Sequence, residues 1–253
     1  MRYVKLTSIA LLLLAVASCG GRDKFVKNPV DDIVKGIPTD RVFAIALHDM
    51  NVEGNFFEEY FHQYRIIEET TPGNPEERIT EWMEVSESQF KQHVDDMGME
   101  LVSRGEDGKL IKDVSPPGYN NYVGNEKYGQ WTQRNGGSFW EFYGKYAFMS
   151  SMFRMFTYPV NRSYYNDYRG NYYGRGRAYY GPRSATGGSY YGTNSNYNRT
   201  SMPNSTWNSN RSNFKSRVNS RTSRSSSSTS RTSRSSSRYG GSSSRSRGGG
   251  FGK

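Results

Sequence analysis

The composition of the chain changes abruptly near Pro159. Residues 160–253 contain no leucine and no isoleucine, and tyrosine, arginine, serine, asparagine and glycine dominate there. So polar a segment buries too little apolar surface to offset the conformational entropy that folding costs. We therefore predict that residues 157–253 form a long, disordered, basic tail rich in Tyr, Arg, Ser and Gly.

The charge of the chain is divided between two parts of opposite sign. Residues 20–159 carry 15 Lys and Arg against 23 Asp and Glu, a net charge of −8. Residues 160–253 carry 17 Lys and Arg and a single acid, Asp167, a net charge of +16. The overall charge of +10 therefore describes an acidic body with a basic tail, and these two parts have the charges to pair with each other.

Residues 38–156 are long enough for one globular body with a modest hydrophobic core. The apolar run RVFAIALHDM predicts a central strand. The stretch FFEEYFHQYRIIEE has aromatic residues at even spacing and favours a second strand, although Glu58 and Glu59 leave a helix as the alternative. Further on, Ser86 and Gln89 form a capping box that predicts the start of a helix.

Two later stretches complete the predicted body. Asp107-Gly108 lies between two short β-like runs and predicts a hairpin. Residues 138–156, SFWEFYGKYAFMSSMFRMF, have a broad apolar stripe at helical spacing and predict an aromatic helix, packed in the core, lying on a bilayer or docked on a partner. The fold class is therefore α+β: a small antiparallel sheet, one packed helix and a C-terminal aromatic helix, followed by the disordered tail.

The sequence contains few candidates for catalysis or metal binding. His48, His62 and His93 each lie near acidic residues, but their spacing matches no known ligand pattern. The nucleophile, P-loop and dinucleotide motifs are absent from the sequence, and only one cysteine is present. We predict that the chain is not an enzyme and holds no metal or cofactor.

The amino terminus has the features of an export signal. The basic MRYVK precedes the apolar LTSIALLLLAVA, which is too short to span a bilayer as a helix. The next residues, Val16, Ala17, Ser18 and Cys19, resemble the lipobox of bacterial lipoproteins. The resemblance implies a signal peptide at residues 1–18 and N-terminal acyl chains, palmitate among them, on Cys19.

The same resemblance sets the expected location. Residues 19–37 would form a lipidated tether between the membrane and the body. Gly20 follows the cysteine where some bacteria use aspartate to retain lipoproteins, so the resemblance implies the outer membrane of the cell envelope. A chain anchored there does not meet nuclear RNA, which is the partner that Arg/Ser repeats would otherwise suggest.

Arginine beside tyrosine pairs makes the tail a candidate surface for polyanions. The expected partners are anionic lipids, lipopolysaccharide or cell-wall polymers; a protein partner is not specified. The alternative is a solvated spacer that makes no such contacts. The candidate arginines are Arg175, Arg177, Arg221, Arg224, Arg231, Arg234, Arg238, Arg245 and Arg247.

The layout resembles envelope lipoproteins that pair a small body with a low-complexity Ser/Arg/Gly tail, here ending in SRGGGFGK. The resemblance implies a structural or interaction role at the envelope. A ligand-binding or enzymatic body, with the tail as a spacer, is the alternative.

Overall fold

The computed structural model describes residues 26–54, 58–155, 158–182 and 188–209, together with Ser216, Val218 and Ser220. The chain divides into two compact units, Met1–Ser209 and Asn210–Lys253. Every helix and strand named below lies in the first unit.

A six-stranded antiparallel sheet forms the centre of the first unit. Its strands are β1 (Phe43–Glu53), β2 (Glu59–Thr71), β3 (Asn74–Ile79), β4 (Met83–Val85), β5 (Glu100–Arg104) and β6 (Leu110–Ile111). The order is β3-β2-β1-β5-β6, and β4 pairs with the first part of β2. With the helices below, this sheet confirms the α+β class.

The strand β1 is central, as its apolar run predicts. Phe43, Ile45 and Leu47 have no exposed surface, and the two alanines between them are also buried, so both faces of the strand are covered. Along its length β1 pairs with β2, which confirms a strand there rather than a helix. The pairing shifts register between Leu47 and Asp49, so His48 is the extra residue of a β-bulge.

The predicted capping box is confirmed. Ser86 accepts a hydrogen bond from the backbone N–H of Gln89, whose side chain accepts one from the backbone of Ser86, and the helix α2 (Glu87–His93) follows. The predicted hairpin at Asp107-Gly108 is confirmed by the pairing of β5 with β6.

The predicted tether is wrong over part of its length. Asn28 caps a further helix, α1 (Pro29–Gly36), and Pro29 occupies its first turn, where its missing N–H costs nothing. Val30 and Ile37 are buried. The folded body therefore begins near residue 29, about nine residues before the expected boundary.

The predicted aromatic helix over residues 138–156 is also wrong. Its first residues form a strand, β8 (Gly137–Phe142), paired with β7 (Gly129–Arg134). The rest is a 3-10 turn, Gly144–Tyr146, and one short helix, α3 (Phe148–Met152).

The hairpin has a local cause that the helical pattern obscured. Asn135 and Gly136, between the two strands, both have positive φ, 48° and 76°, as a type I′ turn requires. Trp140 and Phe142 are buried while Glu141 between them is exposed, which is the alternation of a strand.

The predicted disorder is wrong for residues 158–182 and 188–209, which we call the tyrosine segment. It forms three helices, α4 (Arg162–Asn171), α5 (Asn196–Ser201) and α6 (Thr206–Ser209). Five of its aromatic side chains are buried to within 4% of complete burial: Tyr168, Tyr179, Tyr191, Tyr197 and Trp207. The rest of the predicted tail, apart from the three residues named above, lies outside the described residues.

Tyrosine replaces leucine and isoleucine in this part of the core. Each buried ring removes a large apolar area from water, and its hydroxyl needs a hydrogen-bond partner. Tyr179 donates to the carbonyl of Tyr164 and Tyr197 to that of Phe153. Burial raises the pKa of the Tyr179 and Tyr197 hydroxyls, so they stay protonated and able to donate.

Buried carboxylates of the body bind the backbone of the tyrosine segment. Asp113, 4% exposed, accepts hydrogen bonds from the backbone N–H groups of Gly174 and Gly176. Asp49, 5% exposed, accepts them from Thr206 and Trp207. The segment is therefore part of the fold and not a spacer.

Candidate functional site

A group of exposed arginines lies on and just after α4. We call it the arginine face: Arg162, Arg169, Arg175 and Arg177. The same part of the chain supplies the exposed arginines and two of the buried tyrosines, Tyr168 and Tyr179.

Two of these arginines stack on tyrosine rings. The guanidinium carbon of Arg169 lies 3.6 Å from the ring centroid of Tyr173, and that of Arg177 lies 5.1 Å from the centroid of Tyr172. Both distances are within the range of a cation–π contact. Such a contact holds the flat face of the guanidinium while its N–H edges remain free for a second partner.

The other two arginines are also positioned by their own chain. The guanidinium carbon of Arg162 lies 5.6 Å from the ring centroid of Trp131 on β7. Arg175 donates from Nη2 to the carbonyl oxygen of Gly170 at 2.8 Å. One such bond uses one of the five N–H groups of a guanidinium.

The tyrosine rings beneath the arginine face are themselves supported. Tyr172 packs on the buried Tyr179 at a centroid distance of 4.8 Å, and Tyr173 meets the buried Tyr168 at 6.1 Å. The hydrogen bonds of Asp113 to the turn at Gly174 and Gly176 hold the backbone between them, where both glycines have positive φ. The two rings that contact Arg169 and Arg177 are therefore held in place by packing and by hydrogen bonds to the backbone that follows them.

The electrostatics of this region favour anions. Residues 160–209 contain six arginines and one acid, Asp167, whose carboxylate accepts a hydrogen bond from Asn171. Guanidinium groups bind phosphate, sulfate and carboxylate through paired N–H bonds, and several on one surface bind a polymer of such groups. The arrangement can hold a polyanion but offers no nucleophile or base among its four arginines.

The structure places only part of the predicted site. Arg175 and Arg177 lie together in the arginine face, whereas Arg162 and Arg169 were missed. Arg169 lies near the end of α4 and Tyr173 just after it, four residues further along the chain, and this Arg–Tyr spacing was a readable signal for the second of these. Outside the described residues lie Val16, Ala17, Ser18, Cys19, Arg221, Arg224, Arg231, Arg234, Arg238, Arg245 and Arg247.

The structure does not bring the three histidines together at one point. The rings of His62 and His93 approach to a centroid distance of 6.4 Å, but burial lowers the pKa of His62 to about 3, and His93 binds Asp96. His48 instead neighbours Arg65. Within the part of the chain that the structure describes, no three His, Cys, Asp or Glu side chains are placed to share an ion.

Among the described residues, no helix has the length and apolar character needed to cross a membrane. Comparison of the chain with models of protein families, with curated proteins and with solved structures finds no match of any of the three kinds.

Proposed function

We propose that this chain is a lipid-anchored lipoprotein of the bacterial envelope that acts through its contacts and not through catalysis: the arginine face, together with the basic residues 210–253, binds anionic envelope polymers. The observation that supports it is the arrangement of the arginine face: four exposed arginines, two stacked on tyrosine rings, one against Trp131 and one hydrogen-bonded to a backbone carbonyl. The anchor at Cys19 and delivery to the outer membrane are part of the same proposal.

The fixed positions of the guanidinium groups favour binding. An arginine loses rotamer entropy when a ligand immobilises it, and an arginine already stacked on a ring has lost part of that entropy. Arg169 and Arg177 are stacked in this way in the free protein. Their contribution to affinity is therefore larger than that of arginines on a solvated chain.

The charge distribution indicates the class of partner. An anchored protein whose basic part follows an acidic body meets lipopolysaccharide, anionic cell-wall polymers and anionic lipids at the envelope. Contact with any of these is electrostatic, without sequence readout, and weakens as salt rises. A ligand-binding or enzymatic body with the tail as a spacer, the alternative, fits the tyrosine segment less well because this segment belongs to the core.

The test compares two charge-matched variants of the full chain. In one, all four residues of the arginine face are changed to Gln. In the other, four exposed cations elsewhere are changed to Gln: Lys35, Arg78, Lys109 and Lys145. Retention on immobilised lipopolysaccharide is measured against NaCl concentration.

We expect the first variant to elute at clearly lower salt than the second, because it loses positioned charges as well as net charge. A third variant with Lys at the four positions keeps the charge and loses paired N–H donors, and we expect it to fall between them. Equal elution of the two Gln variants would contradict the proposal.

A further inference from the structure

An open cleft lies on the side of the sheet where His48 interrupts β1. Its volume is about 660 Å³, and its wall includes His48, Asp49, Gln63, Trp82, Arg154 and the turn between α5 and α6. A smaller cavity of about 30 Å³ shares His48 and Arg154 with it. A cleft of this size matches the volume of known small-ligand sites.

Arg154 has an unusual backbone. Its φ is +57°, and the only other non-glycine residue with positive φ in the described chain is Asn135 in the hairpin turn. Arg154 follows the end of α3, where glycine or asparagine is the favourable choice. A left-handed residue with a long side chain costs about 1–2 kcal/mol, and strain of this kind is concentrated at functional sites.

Among the described residues, the side chain of Arg154 also has no hydrogen-bond or ion-pair partner. It is half-buried, its Nε is buried without a hydrogen bond, and no carboxylate lies within ion-pair distance among the described residues. A partly desolvated cation without a counter-ion is costly. An anion in the cleft would supply the missing charge at the guanidinium group.

His48 supplies a neutral donor beside Arg154. Arg65 donates from Nη2 to His48 Nδ1 at 3.4 Å, so the remaining ring proton of a neutral imidazole is on Nε2. Burial, with Arg65 and Arg154 nearby, lowers the pKa of His48 to about 4, which keeps the ring neutral at pH 7. The β-bulge is the reason that this side chain leaves the regular pattern of β1.

The acids around the cleft are already occupied. Arg65 pairs with Glu77 at 2.9 Å and donates to the carbonyl of Met152 at 2.9 Å. The Asp49 carboxylate accepts hydrogen bonds from the backbone N–H groups of Thr206 and Trp207. Among the described residues that line the cleft, Arg154 therefore remains as the cation whose charge is not matched.

Another part of the wall suits a ring. Trp82 is 38% exposed, one of the few large apolar side chains that the described surface leaves open. Gln63, Thr200 and Asn204 add amide and hydroxyl groups to the same wall. A partly exposed indole in a wall with such groups can hold a sugar ring, by apolar contact with the ring and hydrogen bonds to its hydroxyls.

We propose that this cleft binds a sugar bearing a carboxylate or phosphate group, with the anion at Arg154 and His48 and the sugar ring against Trp82. The site is separate in its residues from the arginine face and does not depend on it. The shared chemistry of the ligand is an anionic group on a saccharide ring, and either a uronate or a sugar phosphate supplies it.

The test measures binding to the purified full chain by calorimetry, with four probes: glucuronate, glucose 6-phosphate, glucose and inorganic phosphate. We expect the first two to bind more tightly than the last two, since only they offer both the anion and the ring. Glucuronate binding more tightly than glucose 6-phosphate, or the reverse, identifies which anion the cleft prefers.

Three variants locate the site. Arg154→Gln removes a charged hydrogen bond and is expected to weaken binding of both anionic sugars about 10- to 100-fold. Trp82→Ala is expected to weaken the anionic sugars about 2- to 10-fold and to leave inorganic phosphate unchanged. Arg169→Gln, in the arginine face, is the control and is expected to change nothing.

Arg154→Gly is the control that separates loss of binding from loss of folding. Glycine accepts the positive φ without strain, so this variant is expected to be at least as stable as the parent chain while losing the anionic sugars. A specific site should bind its ligand below about 10 mM. If neither glucuronate nor glucose 6-phosphate binds at that concentration, the proposal is overturned. Binding that survives both Arg154 variants would overturn it as well, whatever the outcome for the arginine face.

Discussion

The sheet of residues 43–111 and the tyrosine segment both contribute buried side chains, but of different types. The sheet uses aliphatic side chains such as Ile45 and Leu47, which need only be surrounded. The tyrosine segment uses rings whose hydroxyls must each find a partner, as Tyr168 does at Asn120 and Tyr197 at Phe153. The second kind of core looks polar in sequence, yet it is buried as completely as the first.

This difference predicts different responses to mutation. Removing apolar volume should harm both regions alike, because both are close-packed. Changing a single polar atom should harm only the tyrosine segment and the groups that bind it. The expected effects below run from the largest to the smallest.

Trp207→Ala tests whether packing at the end of the tyrosine segment contributes to the free energy of unfolding. Trp207 is 2% exposed and packs on Phe90 at a centroid distance of 5.9 Å. We expect a loss of about 3–5 kcal/mol in the free energy of unfolding, measured by urea titration. Trp82→Ala, at an exposed position, is the control with little effect. A loss below about 1 kcal/mol at Trp207 would mean that the segment is not part of the cooperative unit.

Glu100 makes stability depend on pH. Its side chain is 1% exposed, and burial raises its pKa from 4.5 to about 7, although hydrogen bonds from Asn120 and the Gly118 N–H favour the ionised form. Between these two pH values the folded chain binds more protons than the unfolded chain. Stability should therefore fall as pH rises from about 4.5 to about 7, by up to roughly 3 kcal/mol.

The measurement is the free energy of unfolding across pH 4 to 8. Glu100→Gln keeps the shape and the hydrogen bond from Asn120 but does not titrate, so its curve should lack this fall. If the parent chain and the Gln variant have parallel curves, Glu100 is not the group responsible.

Two Tyr→Phe changes compare hydroxyls in the same core. Tyr168 donates to the amide oxygen of Asn120, and Phe there leaves a buried acceptor unsatisfied. We expect a loss of about 1–3 kcal/mol. The Tyr122 hydroxyl is buried without a partner, so Tyr122→Phe should be neutral or stabilising. Equal losses at the two positions would show that ring packing alone decides stability.

Gly136→Ala tests the hairpin, which depends on backbone geometry and not on a hydroxyl. A Cβ at Gly136 meets nothing within 4 Å, so the cost comes only from its positive φ of 76°. We expect a loss of about 1 kcal/mol. Gly36→Ala, at the end of α1 with open space and no positive φ, should be neutral or slightly stabilising. Thermal unfolding of the two variants side by side distinguishes these outcomes.

The sequence was most informative where one local rule decides the structure. The apolar run of β1, the capping box at Ser86 and the turn at Asp107-Gly108 each predicted what the structure contains. The Asn135-Gly136 turn was equally readable, but the apolar stripe of residues 138–156 favoured a helix instead. Alternation of Trp140, Glu141 and Phe142 was the better signal.

The sequence did not reveal that the tyrosine segment folds, because the absence of leucine and isoleucine there indicates too little apolar surface for a core. That rule is sound for chains whose aromatic residues are few, and this segment has tyrosine where others have aliphatic residues. Which rings are buried depends on partners far away, such as Asn120 for Tyr168. The left-handed backbone of Arg154 could not be predicted either, because the structure around the end of α3 imposes it and no sequence motif marks it.

The contact between Asp49 and Trp207 joins residues 158 positions apart. A ribosome completes β1 long before it reaches Trp207, so the nascent chain holds Phe90 uncovered while more than a hundred residues are still to be made. Contacts of such long range slow folding and leave apolar surface open to aggregation. The core around Phe90 and Asp49 can therefore close only after Trp207 has been made.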